Sequence, residues 1–328
     1  MRALFQIFLS LCLLLSSMHA YADEKAIKLL ERTTAAAKQL NYDGVFGFQA
    51  GDKLQTVRII HRADVQGEVE RLISLNGIER ELIRTNDMVT CIYPEGESVQ
   101  ADRRPLGRGF PGDLLSRLTA ASAYYDLTLG KQSRVAGYQA QELVIKPIDN
   151  YRYGYRLWIA KESDLLLQSN LISDRGSVLE KFSFSSVKMG LDITEQSLTP
   201  QMKGNEMAWH RAKARMKSHR EISAHAGTSI WKVVWLPEGF SLIKQQNRLK
   251  AKNGAPVEQR VYSDGLSSIS VFIEKIRARH GHLHGGSTMG AVNVFGTIMD
   301  AHFVTVVGEV PARTVEKIGR SISHRDSE

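Results

Sequence analysis

The spacing of apolar and polar positions changes along the chain from a helical period to a strand period. Between residues 23 and 41 the apolar side chains recur close to helical spacing, which predicts one amphipathic helix that ends near Asn41. From residue 44 onward the period becomes two, in segments such as "GVFGFQA", "LQTVRIIHR", "EVERLISLNG" and "DMVTCIYP". These segments predict antiparallel strands joined by short turns, and Asn76-Gly77 is a strong hairpin signal between two of them.

One helical segment interrupts the strand pattern. "PGDLLSRLTAASAYYD" begins at Pro111, and alternation resumes in "YQAQELVIKPID", "YRYGYRLWIAK", "DLLLQSNLISD" and "SVLEKFSFSSVKMG". The first domain, residues 23–200, is therefore predicted to be a large curved antiparallel sheet with one helix before it and one inserted. Helices that cover such a sheet would enclose an apolar cavity, which is a usual place for a hydrophobic ligand.

Periodicity is lost in residues 201–227, which form the predicted linker. Within the linker, residues 211–220 carry five basic residues with no acid among them: Arg211, Lys213, Arg215, Lys217 and Arg220. Strands return in "WKVVWLPEGFSLIKQQNRL", "APVEQRVYSDGLSSISVFIEK" and "GAVNVFGTIMDAHFVTVVGEVP", and "PARTVEKIGRSI" predicts a closing helix that starts at Pro311. Residues 228–322 are therefore a predicted small α+β domain before a short tail, residues 323–328, and the fold class of the chain is α+β.

The start of the chain has the parts of a secretory signal peptide. A positive start precedes an apolar run from Ala3 to Leu15, and small residues precede a cleavage site after Ala22. The run is too short to cross a bilayer of about 30 Å as a helix. We therefore expect an exported, soluble protein whose mature form, residues 23–328, keeps one cysteine, Cys91, and has no internal disulfide.

Charge limits the expected partners. The chain has a formal net charge of +8. A basic balance often indicates nucleic acid, but an exported protein rarely meets it. An anionic lipid, lipopolysaccharide or an acidic protein segment is the expected class of partner.

Three histidines near the end of the chain are the first candidates for chemistry. His280, His282 and His284 would share one face of an extended strand. A structural zinc site usually has four ligands with help from cysteine or carboxylate, and no Cys, Asp or Glu lies between Glu274 and Asp300. We therefore expect an exposed polar loop and no metal, with adventitious metal binding or a metal-dependent hydrolase as the alternatives.

Catalytic and nucleotide-binding motifs are not found. "HREISAH" does not have the H-E-x-x-H spacing of a zinc protease. "GRGFPG" fits G-x-G-x-x-G but follows a polar segment and not a buried parallel strand. No G-x-S-x-G elbow occurs. We therefore expect a protein that is not an enzyme and has no cofactor.

The aromatic segment "YRYGYRLWIAK" allows two interpretations. In an extended strand one face would carry Tyr151, Tyr153, Tyr155, Leu157 and Ile159. The opposite face would carry Arg152, Arg156 and Trp158. The first face is either an ordinary core face or the lining of a cavity for an acyl chain, with the arginines near its mouth or on the outer surface.

Four segments of the chain resemble the MucB/RseB family. They are "LNGIERELIR", "YRLWIAKESDLLLQSNLISDRGSVLEKFSFSSVKMG", "VYSDGLSSISVFIE" and "GAVNVFGTIMDAHFVTVVGEVPARTVEKIGRSI". The resemblance implies a periplasmic negative regulator of the extracytoplasmic-stress sigma factor. Such a regulator binds the periplasmic part of a membrane-spanning anti-sigma factor and shields it from the site-1 protease.

The same resemblance implies a role for each domain. The larger domain would be similar to the lipoprotein carriers LolA and LppX, a half-open barrel over helices that senses lipid, lipopolysaccharide or mislocalised lipoprotein. The smaller domain would contribute much of the contact with the anti-sigma factor. A periplasmic lipid or lipoprotein carrier is the alternative function, and a homo-oligomer stays open.

Two groups of site residues follow from the strand positions and the resemblance, and no catalytic residue is among them. The predicted lipid cavity contains Phe46, Phe48, Tyr153, Tyr155, Leu157, Leu165, Leu167 and Phe184. A one-residue error in the facing of a strand would exchange each side chain for its neighbour. The predicted partner contacts are Arg211, Arg215, Tyr262, Asp264 and Leu266. The last three surround "SDGL", for which a plain hairpin turn is the alternative.

Overall fold

The computed structural model of the chain describes residues 24–86, 88–94, 111–210, 230–249, 256–276 and 284–324. The predicted signal peptide, Arg211, Arg215, His280 and His282 lie outside the described residues. The described chain divides into two compact units. Unit 1 contains the described residues of Met1–Lys146, Tyr155–Asn170 and Lys181–Arg211, and unit 2 contains those of Pro147–Gly154, Leu171–Glu180 and Ala212–Glu328. Unit 2 is therefore discontinuous in sequence.

Unit 1 is built on an open, curved sheet of eleven strands. The strands are β1 (Tyr42–Ala50), β2 (Lys53–Asp64), β3 (Gly67–Ser74), β4 (Glu81–Thr85), β5 (Met88–Tyr93), β6 (Tyr125–Val135), β7 (Tyr138–Pro147), β8 (Gly154–Ala160), β9 (Leu166–Ile172), β10 (Val178–Met189) and β11 (Asn205–His210). Their order across the sheet is β11-β5-β4-β3-β2-β1-β10-β9-β8-β7-β6. The pairs from β1 to β5, β5 with β11, and β7 with β8 are antiparallel. The large antiparallel sheet predicted from the two-residue period is confirmed.

Helices in the described part of unit 1 are few. They are α1 (residues 24–39), α2 (Pro111–Ala121), which a 3-10 turn (Ser122–Tyr124) follows, and the short α3 (Glu195–Leu198). Helix α1 buries Ala26, Leu30, Thr33 and Ala37 along one stripe. Thr33 tolerates burial because its hydroxyl donates to the Leu29 carbonyl at 2.7 Å. The first predicted helix is confirmed, and it ends two residues before Asn41.

Alternation in β1 and β2 places apolar side chains on one face. Tyr42, Gly44 and Phe46 alternate along β1, and Phe46 lies opposite Val57 of β2. Gly44 is required there because a Cβ atom would come within 2.8 Å of the Phe184 ring and of a backbone carbonyl of β10. The missing side chain at Gly44 therefore lets β1 and β10 lie close together at this point.

A segment that we call the strap, residues 190–202, runs from β10 to the far edge of the sheet. The Gly190 amide donates to the Asn41 carbonyl at 2.8 Å. Ile193 and Leu198 of the strap pack on Ile60. The strap then leads into β11, which adds to the edge of β5 with Met207 opposite Cys91.

The described part of unit 2 contains two sheets and one helix. Its elements are β12 (Trp231–Val233), β13 (Ser241–Leu249), β14 (Pro256–Ser263), β15 (Ser268–Lys275), β16 (Gly285–Met289), β17 (Val292–Met299), β18 (His302–Gly308), α4 (Ala312–Arg320) and β19 (Ile322–His324). The larger sheet has the order β13-β14-β15-β18-β17-β16, and β12 pairs with β19. Helix α4 packs against β16, β17 and β18, and Val315 and Ile318 join Phe295 and Val306 in the core. The α+β class of this region is confirmed.

Two strands, β6 and β11, were not predicted, and a third, β8, begins later than predicted. The sequence did not predict β6. This strand lies at the edge of the sheet with one neighbour, and it buries only Tyr125 and Leu127, so it has little apolar alternation that could be recognised. Strand β11 lies inside the predicted linker and pairs with β5. It was not predicted because its sequence lacks a clear two-residue apolar period. Strand β8 begins at Gly154 and not at Tyr151, because Asp149 draws the chain into a turn by accepting from the Tyr151 amide.

None of the helices in the described part of the chain has the length and apolar character that a membrane crossing requires.

Candidate functional site

An aromatic cluster forms the centre of the core of unit 1. We define it by Tyr42, Phe46, Phe182 and Phe184, which alternate on β1 and β10. Ring centroids are 4.8 Å apart for Phe46 and Phe182, and 5.3 Å apart for Phe182 and Phe184. Tilted and edge-on contacts of this kind add to the gain from burial. The apolar side chains packed around the cluster include Val57, Ile59, Leu72, Leu82, Val89, Leu165 and Leu167.

The residues predicted for a lipid cavity fall into three places. Phe46, Phe48, Leu165, Leu167 and Phe184 belong to the core that contains the aromatic cluster. Phe48 is half-buried at its margin, as are Leu40 and Trp158. Each of these three side chains is therefore partly accessible to solvent.

The other three predicted lipid residues are not in that core. Strand β8 turns Trp158 and Ala160 toward the core, so Tyr155 and Leu157 lie on its opposite face. Leu157 is fully buried and Tyr155 is half-buried there. Tyr153 precedes β8 and belongs to unit 2.

A charged network lies on the same face of the sheet as Tyr42. Arg84 donates to Glu70 at 2.6 Å and to Glu68 at 2.8 Å, and Nε2 of His61 lies 3.1 Å from Glu68. Burial acts to raise the pKa of Glu68, but the hydrogen bond from His61 and the charge of Arg84 outweigh it, so the pKa is lowered. Burial, helped by the charge of Glu70, holds the pKa of Tyr42 well above its ordinary value. Glu68 is therefore an ionised carboxylate at neutral pH.

A second buried ion pair fixes the strap to the sheet. Arg71 donates to both oxygens of Glu81, at 3.1 and 2.9 Å, and to the Ser197 carbonyl at 3.0 Å. The Gln201 and Met202 amides donate to the same carboxylate. A polar cavity of about 240 Å³ borders this pair, and its lining residues are Arg58, Ile60, Arg71, Ile73, Gln196, Ser197 and Gln201.

A fully buried arginine organises part of unit 2. Arg152 donates from Nε and Nη2 to Asp149, from Nη1 to Asp264 at 2.9 Å, and from Nη2 to the Glu238 carbonyl at 2.6 Å. Its guanidinium carbon also lies 5.3 Å from the centre of the Phe240 ring. Burial raises the pKa of Asp264, although backbone hydrogen bonds and the charge of Arg152 oppose that rise. The arginine therefore compensates a carboxylate that would otherwise be costly to bury.

Tyr153 makes a polar contact in the same unit. Its hydroxyl donates to the Val310 carbonyl at 3.1 Å and accepts from the Asn293 side chain at 2.8 Å. Burial raises the pKa of Tyr153 to about 12. The residue therefore anchors its segment to unit 2 through a neutral phenol.

Protein-family comparison assigns both halves of the chain. Residues 25–202 match the MucB/RseB N-terminal domain, and residues 225–323 match the MucB/RseB C-terminal domain. The chain belongs to the MucB/RseB family. The family resemblance seen in the sequence is thereby confirmed.

Curated members of the MucB/RseB family align with nearly the whole chain. The sigma factor AlgU regulatory protein MucB of Pseudomonas aeruginosa is 32% identical over 326 residues, which cover 95% of this chain and 96% of that protein. The sigma-E factor regulatory protein RseB of Escherichia coli is 25% identical over 311 residues, 94% of each chain. These relatives carry the names of regulatory proteins.

Solved structures of the MucB/RseB family share this fold. A crystal structure of MucB in complex with MucA(peri) superposes with a TM-score of 0.69 at 29% identity, and covers 91% of this chain and 98% of that one. A crystal structure of MucB gives a TM-score of 0.56 at 28% identity, with 92% and 98% coverage. The likeness therefore extends over both domains of the family.

The residues predicted for partner contact are placed as follows in this MucB/RseB chain. Tyr262, Asp264 and Leu266 are all buried. Asp264 accepts from the Leu266 and Ser267 amides at 3.0 and 2.7 Å, and Gly265 takes a positive φ of 97°, so "SDGL" forms the β14–β15 turn. These side chains support the turn from inside, and their contact with a partner stays a prediction.

The histidine segment is described only at its end. His284 is exposed next to β16, and no group of three metal-ligating side chains occurs among the described residues. His280 and His282 lie outside the described residues, so the exposed loop without a metal stays a prediction there.

No sequence pattern indicated the charged groups that the fold brings together. His61, Glu68, Glu70 and Arg84 lie on β2, β3 and β4, and no motif in the sequence marks them. The hairpin signal at Asn76-Gly77 would not have found them, because a two-residue loop there would pair Glu70 with Ile83. In the structure residues 75–80 connect β3 with β4, and Glu70 lies opposite Arg84. The pairing of Arg152 with Asp264 left no local signal, because the two residues lie 112 positions apart.

Proposed function

We propose that this chain is a periplasmic regulator that binds the periplasmic segment of a membrane-spanning anti-sigma factor. Bound there, it shields that segment from the site-1 protease and so keeps the envelope-stress sigma factor inactive. The observation that carries the proposal is the likeness to MucB over nearly the whole chain. The sequence alignment with MucB covers 95% of this chain. A solved structure that superposes with this chain is one of MucB in complex with MucA(peri).

The composition of the chain agrees with such a partner. The formal net charge is +8, so the protein attracts an acidic protein segment over distances of a Debye length. The predicted signal peptide directs the chain to the compartment in which such a segment is exposed.

Release from the partner requires a second ligand, and an acylated molecule is the one we propose. The aromatic cluster and the leucines around it form an apolar core, and five of the residues predicted for a lipid cavity lie in that core. Half-buried Phe48, Leu40 and Trp158 are the side chains that an acyl chain would displace. The ligand can shift the equilibrium only if it binds the free form more tightly than the complexed form.

The test of protection combines the mature chain with the partner's periplasmic segment and the site-1 protease. We expect the chain to slow cleavage, and lipopolysaccharide fragments to restore it. Bovine serum albumin at the same concentration is the control for nonspecific substrate binding. Cleavage at an unchanged rate in the presence of the chain would contradict the regulatory proposal.

The test of the ligand site uses Trp158, which packs against the core. In a variant that keeps only this tryptophan, with Trp209, Trp231 and Trp235 changed to phenylalanine, lipopolysaccharide fragments should change its emission. The matched variant with Trp158→Phe supplies the background. Restored cleavage without any change at Trp158 would leave the regulator intact and place the ligand elsewhere.

A further inference from the structure

His61 is a fully buried histidine whose two ring nitrogens both face hydrogen-bond acceptors. Its Nδ1 lies 2.8 Å from the Leu40 carbonyl, and its Nε2 lies 3.1 Å from Oε1 of Glu68. Neither acceptor carries a proton to give, because one is a backbone carbonyl and the other an ionised carboxylate. A neutral imidazole has one N–H and can satisfy only one of the two. The doubly protonated ring donates to both.

The charges around His61 favour the same protonation state. Strand β3 presents two carboxylates, Glu68 and Glu70, while β4 presents a single guanidinium, Arg84. An imidazolium supplies a second positive charge beside these carboxylates. From β1, the Tyr42 ring stacks on the imidazole with centroids 4.9 Å apart and ring planes 16° apart, a contact that also favours a cation.

The carbonyl that His61 contacts lies at the end of helix α1. The Leu40 amide still donates to the Ala36 carbonyl at 3.0 Å, so the Leu40 carbonyl follows the last helical hydrogen bond. The C-terminal end of a helix carries partial negative charge, and a cation is stabilised there. Leu40 itself packs against the core that contains the aromatic cluster.

We infer that His61 is a proton-dependent clamp that holds the C-terminal end of helix α1 to strand β2. With both nitrogens protonated, the ring ties Leu40 to β2 on one side and Glu68 of β3 on the other. Loss of one proton breaks one of these two contacts and leaves the carboxylates of β3 in excess over Arg84. The junction of α1 with β1, at the margin of the aromatic cluster, is then held by one contact fewer.

The direction of the pH effect follows from proton binding. If the folded chain holds a proton on His61 that the unfolded chain gives up, the folded state binds more protons, and stability falls as the pH rises above neutral. One proton of difference changes the folding equilibrium constant by about tenfold per pH unit. The clamp therefore loosens on the alkaline side.

The direct experiment is a nitrogen NMR spectrum of the mature chain with labelled histidine at neutral pH. We expect both ring nitrogens of His61 to be protonated in the wild type. In Glu68→Gln, which keeps the shape but removes one negative charge, we expect a neutral ring with one protonated nitrogen. A single neutral tautomer of His61 in the wild type would overturn the inference, and this measurement does not depend on any variant folding.

A second experiment compares the pH dependence of unfolding from neutral to alkaline pH. The wild type should lose stability more steeply than His61→Phe, by up to about tenfold in the folding equilibrium constant per pH unit. His302→Phe is the matched control, because Nδ1 of His302 lies 2.7 Å from one acceptor, the Asp300 carbonyl, which a neutral ring satisfies. Equal slopes for the wild type and His61→Phe would refute the clamp.

Discussion

Changing Arg152 to alanine tests whether unit 2 depends on a single buried guanidinium. The side chains of Arg152 and Asp264 are both fully buried, so the variant leaves a carboxylate without its cation. The Leu266 and Ser267 amides still donate to that carboxylate, but no charge compensates it. Removing one partner of a buried ion pair costs about 3–5 kcal/mol. At a urea m value of about 2 kcal/mol/M, this lowers the midpoint of unfolding by about 2 M.

The assay must report on unit 2 alone. The chain has four tryptophans, and Trp158→Phe with Trp209→Phe leaves Trp231 and Trp235, both in unit 2. Urea unfolding followed by their fluorescence then gives the midpoint for each variant in this background.

Two matched variants make the result interpretable. Arg313→Ala removes a half-exposed guanidinium that pairs with Asp174 in the same unit, and should cost at most about 1 kcal/mol. The double variant Arg152→Ala/Asp264→Asn should recover part of the loss, since the asparagine carbonyl still accepts from the turn amides without a charge. A midpoint for Arg152→Ala equal to that of Arg313→Ala would refute the reasoning.

Four further outcomes are expected. Phe46→Ala should destabilise unit 1 by about 3–5 kcal/mol in urea unfolding, because the ring is nearly fully buried in the aromatic cluster. Gly319→Ala should destabilise α4 despite a better helix propensity worth about 1 kcal/mol, since the added Cβ would lie 2.5 Å from Cδ1 of the buried Phe295; a higher melting temperature would contradict this. The pKa of Glu68 is lowered in the folded chain from a reference of 4.5, so Glu68 stabilises the folded state above that pH and this stabilisation is lost as the pH falls. The stability of Glu68→Gln should therefore fall less steeply with acid than that of the wild type. Burial raises the pKa of Cys91, which lies opposite Met207 of β11. A thiol reagent should therefore label the native chain far more slowly than the urea-unfolded chain, and equal rates would show that β11 does not cover Cys91.

The sequence predicted those parts of the fold in which one face of an element is apolar. The first helix and the strand that contains Phe46 were both found where the periodicity predicted them. The buried side of each, with Ala26, Leu30 and Ala37 in the helix and Tyr42 and Phe46 in the strand, was not fixed by the pattern and comes from the structure. The requirement for glycine at position 44 could not be predicted from the pattern. It arises because a Cβ atom there would collide with β10, which lies more than a hundred positions further along the chain.

The site residues were harder to predict because strands with similar polarity on both faces do not reveal their orientation. In β8, Trp158 and Leu157 are both large and apolar, and only packing decides that Trp158 faces the aromatic core. The buried ion pairs had no sequence signal, since Arg71, Glu81 and Arg152 resemble ordinary surface charges until their partners are in place. Family resemblance supplied the function, and physical patterning supplied the sheet.

The discontinuity of unit 2 has a practical consequence for dissecting this protein. The family boundary suggests that a fragment starting at residue 225 would be a complete C-terminal domain. Such a fragment lacks residues 147–154. It therefore lacks Arg152, the only guanidinium that donates to Asp264 among the described contacts, and Tyr153, whose hydroxyl accepts from Asn293. Binding data from the fragment would then describe a loosened protein, and a circularly permuted or fused chain that restores this segment is the better reagent.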